Sequence, residues 1–275
     1  TLALNGADYH SGTSQQTWTA NAFTMAGTDP TFTTTGQHIS FADGATSQIV
    51  LADVADLTVR TGTSGGNIDF APRIIGTAGG ATTDVTLNAG AGTVTLDNTS
   101  ADVIATHIGT VAITGATINL SEDIFTAGGD ITLTGAGVLH DNSTIYFGST
   151  RSGTAGGDIE FTSTVDSETG ANRSLSVESG AGSTTITGNI GVTQTIGNIT
   201  INSTDTGAIT LTGNIGTSSA DGASALAIGN ADTASITLGG VDYNTNSNQT
   251  WHSDGVAING ADAAFTTSAD HVTFT

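Results

Sequence analysis

Gly128-Gly129-Asp130-Ile131-Thr132-Leu133 carries the two signals on which the fold turns. Glycine and aspartate tolerate the positive φ of a tight corner. The three residues after them alternate apolar, polar, apolar. In an extended chain that puts Ile131 and Leu133 on one side and Thr132 on the other. The burst recurs as Val94-Thr95-Leu96, Ile159-Glu160-Phe161, Leu175-Ser176-Val177, Ile199-Thr200-Ile201, Ile209-Thr210-Leu211 and Ile236-Thr237-Leu238. The corner recurs as Gly65-Gly66-Asn67, Asn88-Ala89-Gly90, Gly156-Gly157-Asp158 and Gly188-Asn189.

Nothing in the chain shows a capped 3.6-residue period, so essentially no α-helix is predicted. Val54 to Val59 is the least regular segment and is still read as strand. Bursts return after a steady interval: Phe70 to Leu96 is 26 residues, Val177 to Ile201 is 24 and Leu211 to Leu238 is 27. Each interval holds a further burst. The spacing predicts an all-β parallel solenoid with coils of about 25 residues, each made of two or three strands and corners. On the order of ten coils at ~4.8 Å each would make a rod roughly 50 Å long.

Longer duplications sit on top of this rhythm. Gly6-Ala7-Asp8-Tyr9, Gln16-Thr17-Trp18, Phe32-Thr33-Thr34 and His38-Ile39-Ser40-Phe41 return as Gly240-Val241-Asp242-Tyr243, Gln249-Thr250-Trp251, Phe265-Thr266-Thr267 and His271-Val272-Thr273-Phe274. The offset is 234 residues at the tyrosines and 233 from the tryptophans onward. Residues 6–41 and 240–275 are therefore equivalent segments of a 233-residue tandem repeat, and 1–275 is read as one continuous slice of a longer array. A second duplication relates 60–96 to 151–186, with Gly-Gly-Asn-Ile-Asp-Phe70 answering Gly-Gly-Asp-Ile-Glu-Phe161 at 91 residues. A unit near 90 residues also fits an immunoglobulin-like sandwich. Against that, no Trp lies between Thr19 and Thr250, and no third copy follows.

Composition narrows the function. The net charge is −21, with four Arg and no Lys. Such a surface repels nucleic-acid phosphates and anionic membranes. It collects divalent cations loosely at most; no cofactor is expected. There is no Cys, hence no disulfide frame and no thiol chemistry. No run approaches the ~20 apolar residues of a membrane-spanning helix. A secretion signal is expected outside this stretch, since Thr1 already lies within the repeat.

The pattern Gly-Gly-Asp-Ile-x-Phe, followed by Leu/Val-x-x-x-Gly-x-Gly-x-x-x-Leu/Ile, is carried by Gly66 to Phe70 with Leu87 to Leu96, and by Gly157 to Phe161 with Val177 to Ile186. It resembles the repeats of giant bacterial surface exoproteins, similar to filamentous-haemagglutinin-like adhesins. The resemblance implies a right-handed parallel β-helix exported to the cell surface, acting in adhesion, aggregation or filaments. It implies neighbouring repeats or further copies end to end as partners, and glycans or another cell surface as targets.

Few residues suggest chemistry. Tyr9, Trp18, Tyr243 and Trp251 are candidates for a repeat seam or a glycan contact, because such rings bury large area and keep a polar tip. Gly65, Gly66, Gly128, Gly129, Gly156 and Gly157 are structural turns. They lack the third glycine of a G-G-x-G-x-D calcium repeat. His38 and His271 have no metal-spaced companions. Arg60 and Arg151 are expected to pair with carboxylates. Asp166 with Glu168, or Glu122 with Asp123, would be the acid pairs of a glycosidase, but neither recurs in the 91-residue copy. A lyase would want a basic residue that Lys cannot supply here. Thr132 with Thr134, and Thr210 with Thr212, offer the T-x-T of an ice-binding face, diluted by Asp, Asn and Glu. The expectation is a structural or adhesive extracellular module and no enzyme.

Overall fold

The computed structural model describes residues 1–42, 48–52, 55–77, 83–97, 103–105, 107–150, 156–202, 206–268 and 270–275. Among these there is no helix, and named strands pair with one another only in parallel. The chain is a β-solenoid. Its first coil shows the plan: Leu2–Leu4, Asp8–His10 and Gln16–Thr19 form three successive faces, and Phe23–Met25 then lies beside Leu2–Leu4. Each coil thus has three strand positions where the spacing alone left two or three open.

Each face is a column of inward side chains. The first runs Leu2, Phe23, Ile49, Ile74, Ile104, Ile124, Phe147, Val177, Ile201, Ile228, Trp251, Phe274, twelve rungs in unbroken register. The second runs Tyr9, Phe32, Val59, Leu87, Ile113, Leu133, Phe161, Ile186, Leu211, Leu238, Ile258. The third runs Gln16, Ile39, Ile68, Val94, Ile118, Gly137, Val165, Ile190, Ile215, Tyr243, Phe265. Between the ends these side chains are fully buried or nearly so. Alternation is the cause: every second residue points inward, so three stacked strands enclose a dry prism of aliphatic groups. Each fully buried Ile or Leu contributes roughly 1.5–3 kcal/mol by leaving water.

The third face is built in two ways. Ile108–Leu120 and Ile131–Leu139 bend through the corner from the second face onto the third. Gly135 makes that bend at φ +142, where a Cβ would stand 1.8 Å from the Gly115 carbonyl oxygen. Further along, the face thins to single bridges through Ile190 and Ile215 before Asp242–Thr245 restores a strand.

Corners are fastened by side chains. Asp56 Oδ1 accepts the Asp84 amide at 2.9 Å, Asp84 Oδ1 accepts Thr110 at 2.7 Å, and Asp29 Oδ1 accepts Asp56 at 3.3 Å. Asp130 and Asp158 continue the pattern toward Ser183. Inward hydroxyls span other corners: Thr61 Oγ1 donates to Gly66 O at 2.6 Å and Ser149 Oγ to Gly157 O at 2.9 Å. The doubled glycines divide two tasks. Gly65, Gly128 and Gly156 take positive φ, while Gly66, Gly129 and Gly157 press on the backbone of the preceding coil. Leu57–Arg60 is the strand in the irregular segment; Val54 lies outside the described residues.

Candidate functional site

The duplicated aromatic segment supplies the largest side chains of the interior. In the first copy Tyr9 stacks on Phe32 at 4.6 Å and 8°, and meets Trp18 edge-on at 5.3 Å. Trp18 stacks over Phe41 at 6.5 Å. In the second copy Tyr243 stacks on Phe265 at 4.9 Å and 12°, and meets Trp251 edge-on at 5.4 Å. Trp251 stacks over Phe274 at 6.2 Å.

The polar contacts recur too. Gly6 N donates to the Tyr9 hydroxyl at 2.8 Å, and Gly240 N to that of Tyr243 at 2.9 Å. Gln16 Nε2 donates to Tyr9 O and Thr33 O; Gln249 Nε2 donates to Tyr243 O and Thr266 O. This inward glutamine spans the corner between two faces and ties its coil to the next. Trp18 Nε1 donates to Gln16 Oε1 at 3.3 Å. The equivalent Trp251 Nε1 and Gln249 Oε1 are buried and lack a partner. The sequence pattern Gly-x-x-Tyr, then Gln-x-Trp, is thus a self-contained corner unit. The glutamine is the member that pattern reading missed; its position two residues before Trp, on the same side of the strand, was the available signal.

Exposure separates the copies. Tyr243 and Trp251 are completely buried, covered by Ile215 and Ile228 of the preceding coil. Burial also raises the Tyr243 phenol above its ordinary pKa. Tyr9 and Trp18 occupy the first coil and are half-buried, lining a shallow cavity with Asp8, His10, Ser11 and Gln16. At the opposite end Ile258 is 49% exposed and Phe274 45%.

The equivalent segments lie on different faces. Tyr9 is the first rung of the second face, and Tyr243 is the tenth of the third. Trp18 lies on the third face and Trp251 on the first. The 233-residue unit therefore advances nine turns and one third. The 91-residue duplication behaves alike: Phe70 lies on the third face, third rung, and Phe161 on the second face, seventh rung. That is three turns and two thirds. The sequence repeats in whole strands plus corners, about 8 residues each, rather than in whole turns.

The candidate acids hold loops. Asp166 is buried, and its Oδ1 accepts the amides of Thr193 and Gln194. Glu168 pairs with Arg173, and its Oε2 lies 3.2 Å from His140 Nδ1. Hydrogen bonding from Arg173, ahead of the attraction of the Arg173 and His140 charges, holds the Glu168 carboxyl below its ordinary pKa. Glu122 accepts from Asn142, and Asp123 accepts the Tyr146 amide. Among the described residues no three His, Asp or Glu stand close enough to share a metal. His38 and His271 are exposed. The expected carboxylate partner of Arg60 is not found among the described residues, because its strand ends there with the side chain in solvent; Arg151 lies outside them. Among the described residues no helix is long and apolar enough to cross a membrane.

Comparison with protein-family models, with curated proteins and with solved structures finds no match for this chain.

Proposed function

We propose that the chain is a structural repeat module of a large extracellular bacterial surface or filament-forming protein, stacked end to end with neighbouring repeats. The observation that carries this is the duplicated corner unit. The same tyrosine, glutamine, tryptophan and phenylalanine contacts are rebuilt nine and a third turns later within one uninterrupted column. A fold whose coils contact only their neighbours lengthens by adding coils, and its stability grows with them. That suits a rod holding its shape without disulfides. The resemblance of the Gly-Gly-Asp-Ile-x-Phe pattern to filamentous-haemagglutinin-like repeats points the same way, toward the cell surface. The acidic exterior keeps such a rod soluble and away from anionic surfaces.

A glycan-gripping adhesin is the competing reading, and burial of Tyr243 and Trp251 speaks against it, since a ring without an open face cannot stack on a sugar. A glycan array separates the two. The module reading expects no specific binding by the 275-residue chain. Binding abolished by Trp18→Ala would contradict it and favour the adhesin.

A further inference from the structure

We propose that the peptide bond between Asp29 and Pro30 is a self-cleavage site, cut by the Asp29 carboxylate with the Thr31 hydroxyl polarising the carbonyl. This goes beyond the module reading and stands or falls apart from it.

Asp29-Pro30 is the only acid–proline pair in the sequence; the other proline, Pro72, follows Ala71. The pair lies at a corner inside the column. The strand that follows it, Thr31–Thr33, pairs with Asp8–His10 on one side and with Leu57–Arg60 on the other. Asp29 sits at φ +47, a left-handed conformation that strains a residue carrying a side chain. Hydrogen bonds hold the groups around the bond. Asp29 Oδ1 accepts the Asp56 amide at 3.3 Å, Thr58 N donates to Pro30 O at 3.0 Å, and Thr31 N donates to Ala7 O at 2.7 Å. Thr31 Oγ1 donates to Asp29 O, the carbonyl oxygen of the bond in question, at 3.3 Å. Asp29 is exposed and Thr31 half-buried, so water reaches the site. Its charged neighbours are carboxylates: Asp8, one rung before Thr31, and Asp56 in the next coil. Among the described residues no cation pairs with Asp29.

The chemistry needs only water and a proton. Asp29 Oδ2 attacks the residue's own main-chain carbonyl carbon, and the new C–O bond closes a cyclic anhydride. The C–N bond to Pro30 breaks, and its electron pair goes to the proline nitrogen, which takes a proton from solvent. Proline's alkylated nitrogen is more basic than an ordinary amide nitrogen and leaves more readily. Water then opens the anhydride, giving a C-terminal Asp29 and an N-terminal Pro30. The Thr31 hydroxyl faces the oxygen on which charge develops, and the neighbouring coils hold it there in advance.

An aspartate at positive φ is by itself an ordinary corner, and the repeat supplies the comparison. Asp262 is the same corner one repeat later (262 − 29 = 233), at φ +55, but Ala263 and Ala264 stand where Pro30 and Thr31 do. That copy keeps the bend and lacks both the leaving group and the donor. A cut after Asp29 would leave the column standing, because Asp8–His10, Gln16–Thr19 and Phe23–Met25 each pair with a strand beyond the break.

The test incubates the intact chain at about pH 5, just above the ordinary carboxylate range, folded and in urea, and follows fragments 1–29 and 30–275 by denaturing mass spectrometry. The folded chain is expected to be cut about tenfold faster or more than the unfolded one, because only the fold positions the donor. Asp29→Asn, which keeps the acceptor for Asp56, is expected to abolish the cut. Thr31→Val is expected to slow the folded chain and leave the rate in urea unchanged. Ala263→Pro with Ala264→Thr is expected to create a second cut after Asp262. A folded chain cut no faster than the unfolded one, or not at all, would overturn the proposal, as would an Asp29→Asn chain cut at the wild-type rate. An unchanged folded rate in Thr31→Val would overturn the role given to its hydroxyl.

Discussion

At the scale of single residues the column is held by close approaches and short polar contacts. A Cβ on Gly157 would stand 2.5 Å from the Gly129 carbonyl carbon, and that backbone cannot yield. Gly157→Ala is expected to cost about 1–3 kcal/mol, read as a lowered urea midpoint. Asp56 accepts the Asp84 amide and sits one coil above Asp29. Asp56→Ala should lose about 1 kcal/mol, while Asp56→Asn, which keeps the acceptor, should lose clearly less. Glu168 adds a pH dependence. Its folded pKa lies below the unfolded value, so its contribution is complete above the ordinary carboxylate range and fades as pH falls through the folded pKa. Glu168→Gln should flatten that part of the acid unfolding curve, with its small loss of stability present at neutral pH and vanishing as pH falls below the folded pKa. The glycine corners were legible because few other residues accept positive φ. The Asp ladder was not: an aspartate in a loop reads as a solvated charge until the next coil's amide is seen beside it.

At the scale of strands, the alternation that marks Ile131-Thr132-Leu133 names the buried pair correctly, since both aliphatics are inside. Ile228 lies mid-column with Ile201 before it and Trp251 after. Ile228→Ala is expected to cost 2–5 kcal/mol by leaving a cavity that rigid neighbours cannot fill. Trp251→Ala should cost roughly 3–5 kcal/mol, and Trp18→Ala clearly less, because the first ring is half in water. Equal losses in thermal or urea unfolding would contradict the difference in burial. Sequence could not assign strands to faces. Ile68-Asp69-Phe70 and Ile159-Glu160-Phe161 look interchangeable, and the structure uses them on different faces. A strand of three residues with two aliphatics inward suits any side of a near-symmetric prism, so nothing local distinguishes them.

At the scale of the molecule, the interval between bursts gave the coil length and hence a solenoid. The number of strands per coil needed the register. A 233-residue repeat was plain from Tyr9, Trp18, Tyr243 and Trp251, but its fractional advance was not. Coil lengths vary with loops such as Gly191 to Asn198, and only their total decides the phase. The fractional advance means that equivalent surfaces of successive repeats face three directions in turn, so a long rod built this way has no single functional side. The direct measurement is pulsed electron-spin distance between nitroxide pairs on the first face, with Thr24→Cys held fixed and the second label at Ser176→Cys, Thr200→Cys or Thr250→Cys. These sites stand six, seven and nine rungs beyond Thr24. At ~4.8 Å per rung the account predicts distances of about 29, 34 and 43 Å, growing in step with rung number. Distances that fail to grow in that order, as in two-layer β domains strung together, would contradict it.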